Sequence, residues 1–423
     1  MVLLIATGKR LMRPSTLLLL GLATGMSAER AWCQERPQAV ISTGKLDSAL
    51  VPFDNAARNL LEMTGAPGAS LAVAHNGRLV LARGYGYADV RTEEPVAPTS
   101  RFRIASVSKP ITATAVMTLV EAGRLSLDER VVTLLDMTPS ELPDPRVNEI
   151  TVRDLLYHAG GWDRAQSGFD PPFAADRIAI AMNERPPASA DMMVRFMLAQ
   201  QLDFAPGSRQ VYSNIGYAAL GRVIEAVGGH PYDVYVRRAV LMPAGAQSIE
   251  LGRSLPEQRA PNEVRYHDDR RFLSMFPGRG MVPVAYGAFA IEAMDAHGGW
   301  IASAPDLLRF ITLIDTDPTV PDLLERETIE AMIAPHQAAS SDDPYYGMGW
   351  EIIGGEDGTV WFHRGDLPGT TAMLARAGRT AFAFLMNGNA GSRENAEAIL
   401  PMLLEAAREV EDWPNHDLFT TTR

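Results

Sequence analysis

Strand-forming sequence lies at the two ends of this chain and helix-forming sequence lies between, which leaves few ways to close a core. Near the start, Ala69–His75 and Arg78–Tyr87 flank Asn76-Gly77, the dipeptide best suited to a two-residue hairpin turn. Near the end, Gly358–Gly365, Thr370–Arg376 and Thr380–Met386 read as three strands, with Ala377-Gly378-Arg379 as a turn, and Glu394–Val410 reads as a closing helix. Asp54–Met63 reads as an amphipathic helix ended by Gly65-Ala66-Pro67-Gly68. From Ile111 to about Tyr235 the pattern is mostly helical, broken by Pro- and Gly-rich loops. The expected fold is α+β: one antiparallel sheet flanked by helices in an α/β sandwich, built from both chain ends, with an inserted all-helical lobe. A single domain over 51–412 is expected, its α/β lobe at about 51–110 and 345–412 and its mainly helical lobe at about 111–344, with a polar lead-in at 31–50 and a tail at 413–423.

Composition excludes several classes. The chain is 46% hydrophobic and 21% charged, ordinary values for a folded soluble protein. A net charge of -12 without a basic block argues against nucleic acid, which is held by clustered Lys and Arg. Lys9, Arg10 and Arg13, then Leu17–Ala23, then Gly25, Ser27 and Ala28 give the order of a secretory signal peptide over residues 1–30. Met12 offers an alternative start with a tidier basic region. The apolar run is too short to span a bilayer, so a secreted or periplasmic protein without a transmembrane segment is expected. Cys33 is the only cysteine, which excludes an internal disulfide and multi-cysteine zinc, and Arg30 and Trp32 argue against lipid attachment.

The chemistry is placed at Phe102–Ala113. Ser106 stands three residues before Lys109, at the start of an apolar run that carries Ala115, Leu119 and Ala122 at helical spacing and stops at Gly123. One helical turn apart, the two would share a face. A serine hydroxyl needs a neighbour to take its proton, and a lysine can do so once burial lowers its pKa from about 10.4. Pro110 is tolerated near a helix start, which sets Ser106 in the first turn. The same pattern at Ser42–Lys45 lies in the polar lead-in with no apolar helix behind it and is rejected.

Tyr212-Ser213-Asn214 follows the Pro206-Gly207 turn and opens a helix. A phenol there can relay protons if neighbouring cations, Lys109 among them, lower its pKa. His-x-Gly occurs at His75, His158, His297 and His363, and only His363-Arg364-Gly365 follows a strand and precedes a hairpin.

Taken together in this order, Ser106-Val-Ser-Lys109, Tyr212-Ser213-Asn214 and His363-Arg364-Gly365 resemble the three motifs of the serine β-lactamase-related family, which includes class C β-lactamases, D-alanyl-D-alanine carboxypeptidases, D-aminopeptidases and family VIII esterases. The resemblance also takes in Gly84–Asp89, Leu155–Trp162, Phe204–Gly207 and Gly347–Trp350, and covers roughly residues 50–410. It implies a serine hydrolase acting through an acyl-enzyme on a small-molecule or peptide substrate. Ser106, Lys109 and Tyr212 would be catalytic. Asn214, His363 and Gly365 would orient substrate, with Asn214 also holding Lys109, and the backbone N–H groups of Ser106 and Asp366 would form the oxyanion hole. No cofactor or metal is implied, and oligomeric state is left open. His363 stands where β-lactamases usually carry lysine, so positive charge there would depend on pH. Arg364 should face away from it, and the Asp366 carboxylate should turn outward. An esterase is the leading reading, a peptidase or β-lactamase the alternative, and a catalytically silent ligand or cell-wall sensor the non-enzyme alternative.

Overall fold

The computed structural model describes residues 40–138, 142–339, 344–355 and 358–420. The signal segment read in residues 1–30, Cys33 and the first part of the lead-in lie outside the described residues. From Val40 onward the chain forms one compact unit.

Its framework is an antiparallel sheet that joins the two chain ends. The order is Ser42–Thr43, Arg78–Asp89, Gly68–His75, Thr380–Met386, Thr370–Ala377, Gly358–Leu367, Glu351–Gly355 and Tyr345–Tyr346. The central pairing sets Ala69 opposite Met386 and His75 opposite Thr380, so the first hairpin and the last three strands make one surface. Asn76 and Gly77 both take positive φ (51° and 70°), the conformation that the expected hairpin turn requires.

Side-chain alternation then divides the core in two. Leu71, Val73, Phe362, Met373, Phe382 and Phe384 face a layer made by helices Val51–Thr64 and Arg393–Arg408. Ala72, Ala74, Trp361, Leu374, Ala383 and Leu385 face the helical lobe. The alanines among them let helix Ala304–Ile311 sit close on the sheet, against Gly68–His75 and Thr380–Met386.

Helix Ser108–Glu121 runs through the interior of the lobe and is buried on nearly every side, as an all-round apolar helix must be. Its threonines are satisfied both across the lobe and within the helix: Thr112 Oγ1 bonds the Ala296 carbonyl and Tyr232 Oη, both at 2.6 Å, and Thr114 Oγ1 donates to the Pro110 carbonyl. The lobe is mainly helical but not wholly so. Trp300–Ser303 pairs with both Arg101–Arg103 and Glu250–Leu251, and Arg271–Leu273 pairs with Met281–Pro283. These strands are two to four residues long, too short for period-2 alternation to show in sequence. Residues 413–420, read as a tail, pack back on the hairpin: Trp413 stacks on His75 at 4.0 Å, and Asp417 accepts from the Leu79 N–H.

Candidate active site

Ser106 sits on a 3-10 turn, Ala105–Val107, directly ahead of helix Ser108–Glu121. This corrects the expectation of a serine inside the first α-turn. Ala105 takes a φ of 47°, a left-handed conformation that costs a non-glycine residue energy and turns the chain sharply out of strand Arg101–Arg103. The tighter winding lays residues i and i+3 over one another, so Lys109 still meets Ser106. Lys109 Nζ lies 3.1 Å from Ser106 Oγ.

The lysine is fully buried, and its ammonium is held by Asn214 Oδ1 at 2.9 Å and the His297 carbonyl at 3.0 Å. Both partners only accept. The Asn214 amide is oriented by its other end, where Nδ2 donates to Asp170 Oδ2 at 3.3 Å. Two N–H bonds of Lys109 are thereby fixed, and in the neutral amine the lone pair points at the serine hydroxyl. Desolvation drives this lysine well below its ordinary pKa, against the attraction of Asp170 and with the help of Arg164.

Tyr212 Oη donates to Ser106 Oγ at 2.8 Å. Its ring lies 4.7 Å from Lys109 Nζ and 4.4 Å from the His158 ring. The expectation that cations lower its pKa is corrected: burial is the largest effect and pushes the phenol up, outweighing the Ser106 hydrogen bond and Arg164. Tyr212 is therefore a neutral O–H donor at ordinary pH.

His363 is 1% exposed. Its Nδ1 lies 2.7 Å from the Arg364 carbonyl, which can only accept, so Nδ1 carries the proton and Nε2 accepts from Tyr346 Oη at 2.9 Å. Burial, then Lys109, push its pKa down to about 3. Burial beside Lys109 thus disfavours the charge read as pH-dependent near neutrality.

Strand Glu351–Gly355 pairs with Gly358–Leu367 only as far as Glu351 opposite Phe362, so His363–Leu367 has an open edge facing the Ser106 turn. On that edge the Arg364 N–H donates to the Glu351 carboxylate, and the Asp366 N–H, two residues on, faces the same way. Gly365 makes the approach possible: a Cβ there would run into the Ile104 carbonyl oxygen and stand 3.1 Å from Ser106 N. The Asp366 side chain is exposed and accepts from Thr371 Oγ1 at 2.9 Å, on the opposite face of the strand from His363.

Ser106, Tyr212, Asn214 and His363 line a cavity of about 480 Å³ whose charged walls are Arg164 and Arg364 against Glu351 and Asp366. Several of its residues escaped the sequence reading. The His297 carbonyl is a backbone group, for which no side-chain motif exists. His158 was set aside as structural, yet its ring packs on Tyr212, Tyr217 and Tyr346 and its Nδ1 accepts from the Ser213 N–H. Arg164, at the start of the short helix Arg164–Ser167, and Asp170, in the loop after it, form an ion pair at 2.9 Å beside Asn214, in a stretch without periodicity. Among the described residues no group of three or more His, Cys, Asp or Glu side chains could hold a metal ion.

Residues 53–407 match the family model described as Beta-lactamase. The chain belongs to the Beta-lactamase family. Among curated relatives of this family, esterase EstB of Burkholderia gladioli is 32% identical over 268 residues, covering 59% of this chain and 66% of the esterase. Penicillin-binding protein 4* of Bacillus subtilis (strain 168) is 24% identical over 311 residues, covering 73% of this chain and 64% of that protein. The chain thus spans a little under two thirds of the length of both. The solved D-amino acid amidase from Ochrobactrum anthropi SV3, complexed with D-phenylalanine, superposes with a TM-score of 0.64 at 22% identity, over 84% of this chain and 99% of that one, a likeness of fold alone.

Proposed function

We propose that this Beta-lactamase family member is a serine hydrolase that cleaves carboxylic esters through an acyl-enzyme on Ser106. The observation that carries the reading is the Lys109 amine: two of its bonds go to pure acceptors and the third position meets Ser106 Oγ at 3.1 Å. In the proposed cycle Ser106 Oγ attacks the substrate carbonyl carbon while its proton passes to the Lys109 lone pair. The carbonyl electrons move onto oxygen, received by the N–H groups of Ser106 and Asp366, donors of a kind worth about 3–4 kcal/mol each in a transition state. Collapse expels the alcohol, which takes a proton from Tyr212 Oη, and the phenol is reprotonated from Lys109. Water then attacks the acyl carbon by the same route in reverse.

An ester is favoured over a carboxylate-bearing β-lactam or peptide because a buried, neutral His363 stands at the position where the family usually has lysine. A silent sensor would have no use for a lysine desolvated against a serine, and burying an amine is costly unless something is done with it. Parallel assays on p-nitrophenyl butyrate, nitrocefin and a D-alanyl-D-alanine peptide, with Ser106→Ala as control, test the reading. Faster turnover of the butyrate, lost in the variant, is expected. Faster turnover of either other substrate would make this a β-lactamase or a carboxypeptidase, and acylation without turnover would favour the sensor. Export through the segment around Leu17–Ala23 is part of the proposal and is checked by the mature N-terminus of the secreted chain.

A further inference from the structure

A second cavity, of about 440 Å³, adjoins the one that holds Ser106 and shares Arg164, Tyr212 and Asn214 with it. Its walls are Trp162, Phe169, Pro171, Phe196, Met197 and Ile215, with the Phe169 and Phe196 rings tilted against each other at 6.3 Å. These come from separate stretches: the end of the Leu155–Trp162 segment, the loop after Gly168, helix Ala190–Leu198 and the first turn of helix Asn214–Gly228. The size is that of a small-molecule site.

Apart from the Trp162 indole N–H, which is buried without a partner, the polar side chains that bond on these walls bond to the protein itself. Gln200 Nε2 donates to the Phe196 carbonyl at 3.0 Å and Gln201 Nε2 to the Pro143 carbonyl at 3.2 Å. Asp203 Oδ2 accepts from the Asp163 N–H at 2.7 Å, and Ser167 Oγ donates to the Asp163 carbonyl at 3.0 Å. At the rim, Asp170 is taken by Arg164 and Asn214. A polar ligand would have to break these bonds, whereas an apolar one meets ring faces and thioether with nothing to break.

We propose that this second cavity is a subsite for an apolar part of the substrate, an alkyl chain or aryl ring, which runs from the carbon bonded to Ser106 past Tyr212 and Asn214 and under the Arg164–Asp170 pair. The inference rests on the serine hydrolase reading and narrows its substrate to esters with a bulky hydrophobic arm. The arm belongs either to the acyl group or to the alcohol, since both diverge from the carbonyl carbon beside Tyr212.

The test uses two substrate series with the full chain: p-nitrophenyl acetate against octanoate, and ethyl acetate against octyl acetate. Each buried methylene is worth about fourfold, so even partial entry of six methylenes raises kcat/KM by about tenfold or more in the series that carries the arm. Gln200→Trp and Ser167→Trp fill the cavity from different segments, and each should abolish that rise, chiefly through KM. Because the substitutions are independent, one that fails to fold leaves the other to decide. No rise in either series, or a rise that survives both substitutions, overturns the subsite. Labelling of Ser106 by a fluorophosphonate separates the two layers of the argument: labelling without chain-length preference removes the subsite alone, and no labelling removes the serine reading and the subsite with it.

Discussion

Tyr346 Oη donates to His363 Nε2 at 2.9 Å while His363 Nδ1 donates to the Arg364 carbonyl, so both imidazole nitrogens are committed and the ring is held neutral. His158 and His297 are likewise buried and pushed well below their ordinary range, by desolvation first and Lys109 second. The sign of the linkage follows. A histidine whose folded pKa is depressed takes up a proton on unfolding, so its contribution is present above the unfolded pKa of about 6.5 and is lost as pH falls below it. Stability should decline by about 1.4 kcal/mol per pH unit for each such histidine below pH 6. His363→Gln should remove one such slope between pH 6 and 4, read from urea midpoints, while those of the other depressed histidines remain. An unchanged slope would mean that His363 is already charged in the folded state.

Lys109 should impose a constraint of the same sign on catalysis. Because burial lowers its pKa well below 10.5, the neutral amine is available in mid-range pH. The kcat/KM profile on a neutral ester should rise on an acidic limb and reach a plateau well short of pH 10. Activity that keeps rising to pH 10 would show a lysine with an ordinary pKa. Lys109→Met should cost about 10²–10⁴-fold in kcat, the usual worth of a general base.

Removing a single oxygen isolates the phenol. Tyr212→Phe keeps the ring on His158 and under Lys109, and loses only the bond to Ser106 Oγ. We expect kcat to fall about 10²-fold or more, with stability changed by about 1 kcal/mol. A loss confined to KM would show that the hydroxyl binds substrate and moves no proton.

Gly365 is a test of close approach. Gly365→Ala puts a methyl group against the Ile104 carbonyl and Ser106 N, and rigid backbone stands on both sides. The open edge must move off the Ser106 turn, at a cost of about 1–3 kcal/mol. Fluorophosphonate labelling and ester turnover should both fall, and Tm with them. Full activity at an unchanged Tm would show that the edge can retreat without consequence for the serine.

Much of this was legible in the chain. Asn76-Gly77 announced the first hairpin, and the alternation in Thr370–Met386 announced the strands that pair with it, because turn chemistry and period-2 burial are local signals. Ser106, Lys109 and Tyr212, picked out by residue type and order, are brought within hydrogen-bonding distance at Ser106 Oγ. What was hidden is set by tertiary contact. The desolvation that lowers Lys109 and raises Tyr212 comes from distant segments, as do the His297 carbonyl and Tyr346. His363 looked like a titratable cation because sequence does not say that its two nitrogens are already spoken for.

The sheet closes by setting Ala69 opposite Met386, and this dictates an order of events during biosynthesis. The serine and its lysine leave the ribosome early, but the strand that approaches them through Gly365, and the two that tie it to the first hairpin, come almost last. Until those strands dock, the edge beside Ser106 is missing and non-local pairing has to be found by search. A nascent chain of this design would carry its nucleophile in an incomplete setting for most of its synthesis and become competent in a single late step.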